Sequence, residues 1–195
     1  MNQSEIRIID NLIPSVDLIH DLKTLCEIYC DYKKNSGNDN RFSWFETLGS
    51  SITAIPFLPS RYHLSLSRYY LDHLMPVLYP YSFDSFKCEW WCNTNNILDW
   101  HIDKNESLYE RSKIYNLPLL STVFYPFSDC SHGELFVGSH VPIDQDHVGS
   151  LPGFNSSTLI PPVVNRLVLF SPGLLHKIMP FSGSRFSIAM NIWPI

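Results

Sequence analysis

Apolar and polar residues alternate over Glu5–Ile9, the period of a short strand with one covered face. The period then changes. Val16, Leu18, Ile19, Leu22, Leu25, Cys26 and Tyr29 recur at helical spacing, with Ser15 placed to cap the start and Lys33-Lys34-Asn35-Ser36-Gly37 to end it. Residues 35–41 predict a polar loop. A second helical pattern runs from Ser60 to Val77, limited by Pro76 and Pro80. Beyond Tyr79 the pattern predicts short strands at 86–92, 119–127 (ending at a proline), 133–137, 166–170, 174–179 and 185–193. Ser171-Pro172-Gly173 and Ser182-Gly183-Ser184 punctuate the last three. Helices ahead of many short strands predict helices packed outside one sheet of a sandwich or barrel. The chain divides into a helical support region over 1–80 and a β core over 81–195, within a single domain.

Composition agrees. Hydrophobic residues are 45% of the 195 and charged residues 17%, enough for a packed core. Aromatics reach 14%, and 14 prolines outnumber 8 glycines, which suits strands stopped by proline. The net charge of −5, with no basic block, argues against nucleic acid as a partner. No apolar run is long enough to span a membrane, and the start of the sequence has no basic segment followed by an apolar one. With five cysteines, an odd number, this predicts reduced thiols and a cytoplasmic setting. Cys26/Cys30 and Cys88/Cys92 have the wrong spacing for a zinc knuckle and fit a core better.

Three short segments carry candidate chemistry. In Asp99-Trp100-His101-Ile102-Asp103, an extended backbone sends His101 and Asp103 out of the same face, an imidazole beside a carboxylate. Such a pair is two-thirds of a two-His, one-carboxylate metal face, but it equally describes a strand-end histidine oriented by an acid. His176 lies in apolar Leu174–Ile178, where an inert core histidine is the plainer reading. Arg185 and Ser187 share a face of the last strand. A guanidinium beside a hydroxyl suits a carboxylate ligand, and an ordinary strand-edge arginine is the alternative.

Order and spacing join the pieces: H-x-D, a histidine 75 residues on after a Pro-Gly turn, and Arg-x-Ser nine further. In this pattern the chain resembles the Fe(II)/2-oxoglutarate-dependent oxygenase superfamily, prolyl-hydroxylase-like branch. Trp100–Asp103, Ser121–Tyr125, His132–Val137 and Asn165–Trp193 carry the likeness, which spans about 86–193. The resemblance implies a mainly β fold with flanking helices and a double-stranded β-helix (jelly-roll) core. It implies Fe(II) held by His101, Asp103 and His176, and 2-oxoglutarate held by Arg185 with Ser187. A polar neighbour would assist, from among Tyr125, Asn93 and Tyr115. O2 is the third reactant, and succinate and CO2 are products. Asp103 separates the chain from the halogenase branch, which has Ala or Gly there. Asn191 stands where the nucleic-acid demethylase branch carries a second arginine.

The expected activity is hydroxylation of an amino-acid-like substrate, free or in a peptide. A non-catalytic jelly-roll binding protein, or an enzyme acting on another small metabolite, is the alternative. Residues 104–117 and 138–157 predict polar loops at the mouth, where Lys104, Glu106, Arg111 and Lys113 would grip a zwitterion or simply face solvent. Trp90, Trp91 and Trp100 are either site walls or core. The sequence assigns no oligomeric state.

Overall fold

Pairing between distant segments organises the chain. The computed structural model describes residues 6–35, 44–47, 59–81, 86–94, 98–140 and 157–195. The strands are β1 (Ile6–Ile9), β2 (Trp44–Thr47), β3 (Phe86–Asn93), β4 (Leu120–Ser128), β5 (Ser131–His132), β6 (Leu135–His140), β7 (Thr158–Ile160), β8 (Arg166–Phe170), β9 (Leu174–Ile178), β10 (Phe181–Ser182) and β11 (Arg185–Pro194). A large antiparallel sheet has the order β1-β8-β4-β11-β3-β2. A smaller one has the order β7-β6-β9, and β5 pairs with β10. The N-terminal region thus supplies both edge strands of the large sheet as well as helices. The expected loop after residue 35 and most of 138–157 lie outside the described residues.

Helices cover one face of the large sheet. α1 (Val16–Asn35) starts where the Ser15 hydroxyl accepts the Leu18 N–H at 3.3 Å. Its stripe of Leu18, Leu22, Leu25, Cys26 and Tyr29 is buried against Cys88, Trp90 and Cys92 of β3 and Ile188, Met190 and Ile192 of β11. α2 (Ser60–Arg68) joins this layer and runs through a wider π-type turn, Tyr69–Leu74, into α3 (Met75–Leu78). The helix ends at Leu78, one residue past the expected Val77: of the two prolines expected to limit it, Pro80 lies just beyond its end and Pro76 lies inside it. The Met75 N–H reaches back to the Tyr70 carbonyl in the wide turn, so Pro76 falls in the first turn of α3, where a missing N–H costs little.

The other face of the large sheet looks across at the small sheet. Tyr125, Val168 and Phe170 meet Leu135, Val137, Ile160, Leu174 and Ile178 in a second core. The layers are therefore helices, large sheet and small sheet, mostly β with flanking helices.

The 119–127 strand continues past its proline to Ser128. Pro126 is tolerated because the β4–β11 register slips between Phe186 and Ile188, and pairing with β8 stops at Tyr125. A proline there has no ladder bond to lose. The five cysteines are free thiols. Cys26 and Cys92 touch at 3.3 Å between α1 and β3, and burial pushes the Cys92 thiol well up. Cys26, Cys88 and Cys92 belong to the helix-side core, with Cys30 packed against it.

Candidate metal and carboxylate site

The site lies between the two sheets. His176 sits in β9, and residues 98–101 add to the free edge of that strand: His101 and His176 exchange backbone hydrogen bonds at 3.0 and 2.9 Å, and the Ile178 N–H donates to the Leu98 carbonyl. The pairing sets the two imidazoles side by side, ring centres 4.1 Å apart. Each Nδ1 faces a backbone carbonyl, Asp99 at 2.7 Å for His101 and Leu174 at 2.9 Å for His176. A carbonyl only accepts, so each Nδ1 carries a proton and each Nε2 is the ring nitrogen turned inward.

Asp103 follows two residues after His101 with its carboxylate aimed at the same point. Its Oδ2 is 3.8 Å from His176 Nε2. One ligand atom from each of His101, Asp103 and His176 lies within 4.8 Å of the others, the only such cluster of acids, histidines and cysteines among the described residues. Two imidazoles and one carboxylate suit a divalent transition metal. Burial pushes the Asp103 carboxyl up. The charges of His176 and His101 and hydrogen bonds from Ser121 and Asn191 outweigh it and hold the group below its ordinary 3.8.

The same cavity reaches Arg185. This guanidinium is 2% exposed, and its Nε and Nη1 have no hydrogen-bond partner among the described residues. Its Nη2 donates to the Tyr125 hydroxyl at 3.4 Å, and its Cζ stands 5.0 Å over the Tyr125 ring. No acid among the described residues pairs with it. A buried cation with idle donors is costly, and a carboxylate ligand would supply what it lacks. Ser187, also buried, sits two residues along.

Local structure aims this end of β11. Gly183 has φ +96°, and a Cβ there would stand 2.9 Å from the Asp129 carbonyl oxygen. Glycine allows the tight turn, and the Asp129 carboxylate fixes it by accepting the Ser184 N–H at 2.7 Å. The register slip opposite Ser187 then brings Tyr125 to Arg185.

Of the three assisting candidates, Tyr125 touches Arg185, and Asn93 lines the cavity opposite Ser187 in register. Tyr115 does neither; its ring packs on Tyr109 at 4.7 Å. Trp91 is a cavity wall and Trp90 belongs to the helix-side core. Trp100 packs instead on Phe136 and Lys177.

The polar loop expected over 104–117 contains a helix, α4 (Glu106–Ser112), because Asn105 caps it by accepting the Leu108 N–H. Its charges answer one another: Lys104 pairs with Glu106 at 3.0 Å, Lys104 and Lys113 stand over the Tyr109 ring, and Arg111 donates to the Ser107 carbonyl. Of the four, only Lys104 and Glu106 meet charge with charge among the described residues. The site residues that single-sequence reading missed are the apolar walls Leu98, Val123, Leu135, Ile178 and Ala189, and Ser121, which holds Asp103.

No family model and no curated protein sequence matches the chain. Solved structures do. A Pseudomonas putida prolyl-4-hydroxylase superposes with a TM-score of 0.57 at 15% identity, over 98% of this chain and 94% of that one. A Trichoplax adhaerens prolyl hydroxylase, solved with a hypoxia inducible factor peptide fragment, gives 0.54 at 17%, over 96% and 83%. HygX of Streptomyces hygroscopicus, with nickel and 2-oxoglutarate bound, gives 0.54 at 11%, over 99% and 83%. At these identities the likeness is one of fold.

Proposed function

We propose that the protein is an Fe(II)- and 2-oxoglutarate-dependent dioxygenase with a double-stranded β-helix core over residues 81–195, braced by residues 1–80. One observation carries this reading: a two-histidine, one-carboxylate cluster shares a cavity with a buried arginine whose donors are idle. In this reading His101, Asp103 and His176 hold the iron. Arg185 binds the far carboxylate of 2-oxoglutarate, with Ser187 and Tyr125 beside it and Asn93 bordering the same space. When bound, iron and keto acid supply the oxidising chemistry, in which R–H, 2-oxoglutarate and O2 become R–OH, succinate and CO2. The chain's own part is to present three ligand atoms on one side, to neutralise a buried carboxylate and to surround both with apolar walls that exclude water.

The substrate we favour is amino-acid-like, free or within a peptide. The prolyl hydroxylase folds support it, one of them solved with a peptide, as does the absence of a basic groove expected from the net charge of −5. The test is succinate release with Fe(II), 2-oxoglutarate and O2 across panels of free amino acids and peptides. Stimulation by one member, with a mass gain of one oxygen in that member, is expected. Release that no amino acid or peptide stimulates overturns the substrate assignment. Absence of both release and anaerobic binding of 2-oxoglutarate overturns the enzyme assignment.

A further inference from the structure

The two histidines and the aspartate are not held in the same way. His101 and His176 are locked within the small-sheet layer by paired backbones and by their Nδ1 bonds to carbonyls. Asp103 lies past the end of that pairing, on residues 102–105, which belong to no strand. Its carboxylate is gripped from the opposite layer. The Ser121 hydroxyl of β4 donates to Oδ2 at 2.7 Å, and the Asn191 side chain of β11 adjoins the same carboxylate. Ser121 and Asn191 are direct cross-strand partners. They are 1% and 3% exposed, on a sheet face whose neighbours Val123 and Ala189 are apolar.

A hydroxyl and an amide buried on such a face cost stability unless bonded. Buried Thr122, next in sequence, satisfies itself on the Met190 carbonyl of the adjacent strand. Ser121 instead donates to an acid on another segment, with Asn191 beside it.

We propose that Ser121 and Asn191 are positioning residues, a cross-strand pair of donors that fixes the Asp103 carboxylate for the metal. The inference rests on the metal-binding reading of the cluster. The pair acts through Asp103 and need touch neither metal nor substrate. Removing such an outer partner characteristically weakens metal binding by about 10–100-fold.

The experiment is Mn(II) affinity, read by the EPR signal of the free aqua ion, on wild type, Asp103→Ala, Ser121→Ala, Ser121→Thr and Asn191→Ala, with the thermal midpoint of each metal-free protein. The expected result is tight binding by wild type, none by Asp103→Ala, and about 10–100-fold weakening in Ser121→Ala and Asn191→Ala. Ser121→Thr keeps the hydroxyl and should keep most of the affinity, which a purely structural role for this position would not require. Ser121→Ala removes a single oxygen, so it reads the effect even if Asn191→Ala fails to fold. If wild type binds and Asp103→Ala does not, yet both alanine variants bind within twofold of wild type, the clamp is wrong and the metal site stands. If wild type fails to bind, or Asp103→Ala binds like wild type, the metal reading itself falls, and the clamp with it.

Discussion

Arg185 shows how one buried residue can reveal a missing ligand. Inside a protein an ionised group normally meets its counter-charge; here Nε and Nη1 point at nothing, and Tyr125 offers only a long hydrogen bond and a ring face. Burying a guanidinium with these donors unpaired is costly, and a carboxylate ligand would relieve that cost. Arg185→Met removes the charge and keeps the length. Its expected signature has two parts. Binding of 2-oxoglutarate, measured anaerobically by calorimetry with Mn(II) present, should be lost. The thermal midpoint of the ligand-free variant should equal or exceed that of wild type, because a buried unpaired cation has been replaced by an apolar chain. Wild type should in turn gain about 5–10 °C at a hundredfold excess of ligand over its Kd, which the variant should not. A variant that binds the keto acid normally would show that the arginine serves another purpose. The sequence made Arg185, His101, Asp103 and His176 legible through their order and spacing. Ser121 was legible only as part of the Ser121–Tyr125 segment that carries the likeness; its contact with Asp103 was not, because only the folded chain sets it beside Asp103 and Asn191.

At the scale of elements, local pattern was reliable where a segment settles its own structure and failed where a neighbour does. Hydrophobic periodicity found α1 and its Ser15 cap, and β9 and β11 to within a residue. Of the three prolines read as limits, Pro80 lies just past the end of α3, while two were passed, Pro76 beyond a wide helical turn and Pro126 beside a register slip. Each escape depends on a distortion that no single-residue preference announces. The α4 helix was missed because its seven residues are held by one cap and by local charge pairs, not by an apolar stripe. Tertiary charge pairing also joins elements. Asp21 of α1 meets the Arg61 guanidinium and accepts the Ser65 hydroxyl of α2 at 2.8 Å. Burial pushes the Asp21 carboxyl up, but Arg61 and Ser65 prevail and hold it below its ordinary 3.8. A carboxyl lowered by folding contributes stability that is present above its unfolded value and lost as pH falls through the folded one. Asp21→Asn should thus lower the thermal midpoint at pH 6 and flatten its decline below about pH 4, as followed by circular dichroism. A variant whose acid limb runs parallel to wild type would mean that the α1–α2 contact does not depend on this charge.

At the scale of the whole molecule, the candidate metal site joins two layers that touch mainly through apolar contact. Two of its ligands belong to the small-sheet layer, through β9 and the 98–101 segment paired to it. The third is fastened to the large sheet by Ser121 of β4, with Asn191 of β11 adjoining it. The large sheet is further supported by α1 and the α2–α3 helix on its outer face, whereas the small sheet has three strands and an added edge segment. Few neighbours make local opening cheap, so the small sheet is the layer whose amides should exchange through partial unfolding. A metal ion bound by both layers stabilises only conformations in which they are together, by mass action against every opened form. Hydrogen exchange read by mass spectrometry should then show Mn(II) slowing amides of β6, β9 and residues 98–101 more than those of α1. His176→Ala should abolish the effect while leaving the α1 amides unchanged. Protection confined to the residues around Asp103, with β6 and β9 exchanging as before, would mean that the metal sits on one layer and does not tie the two.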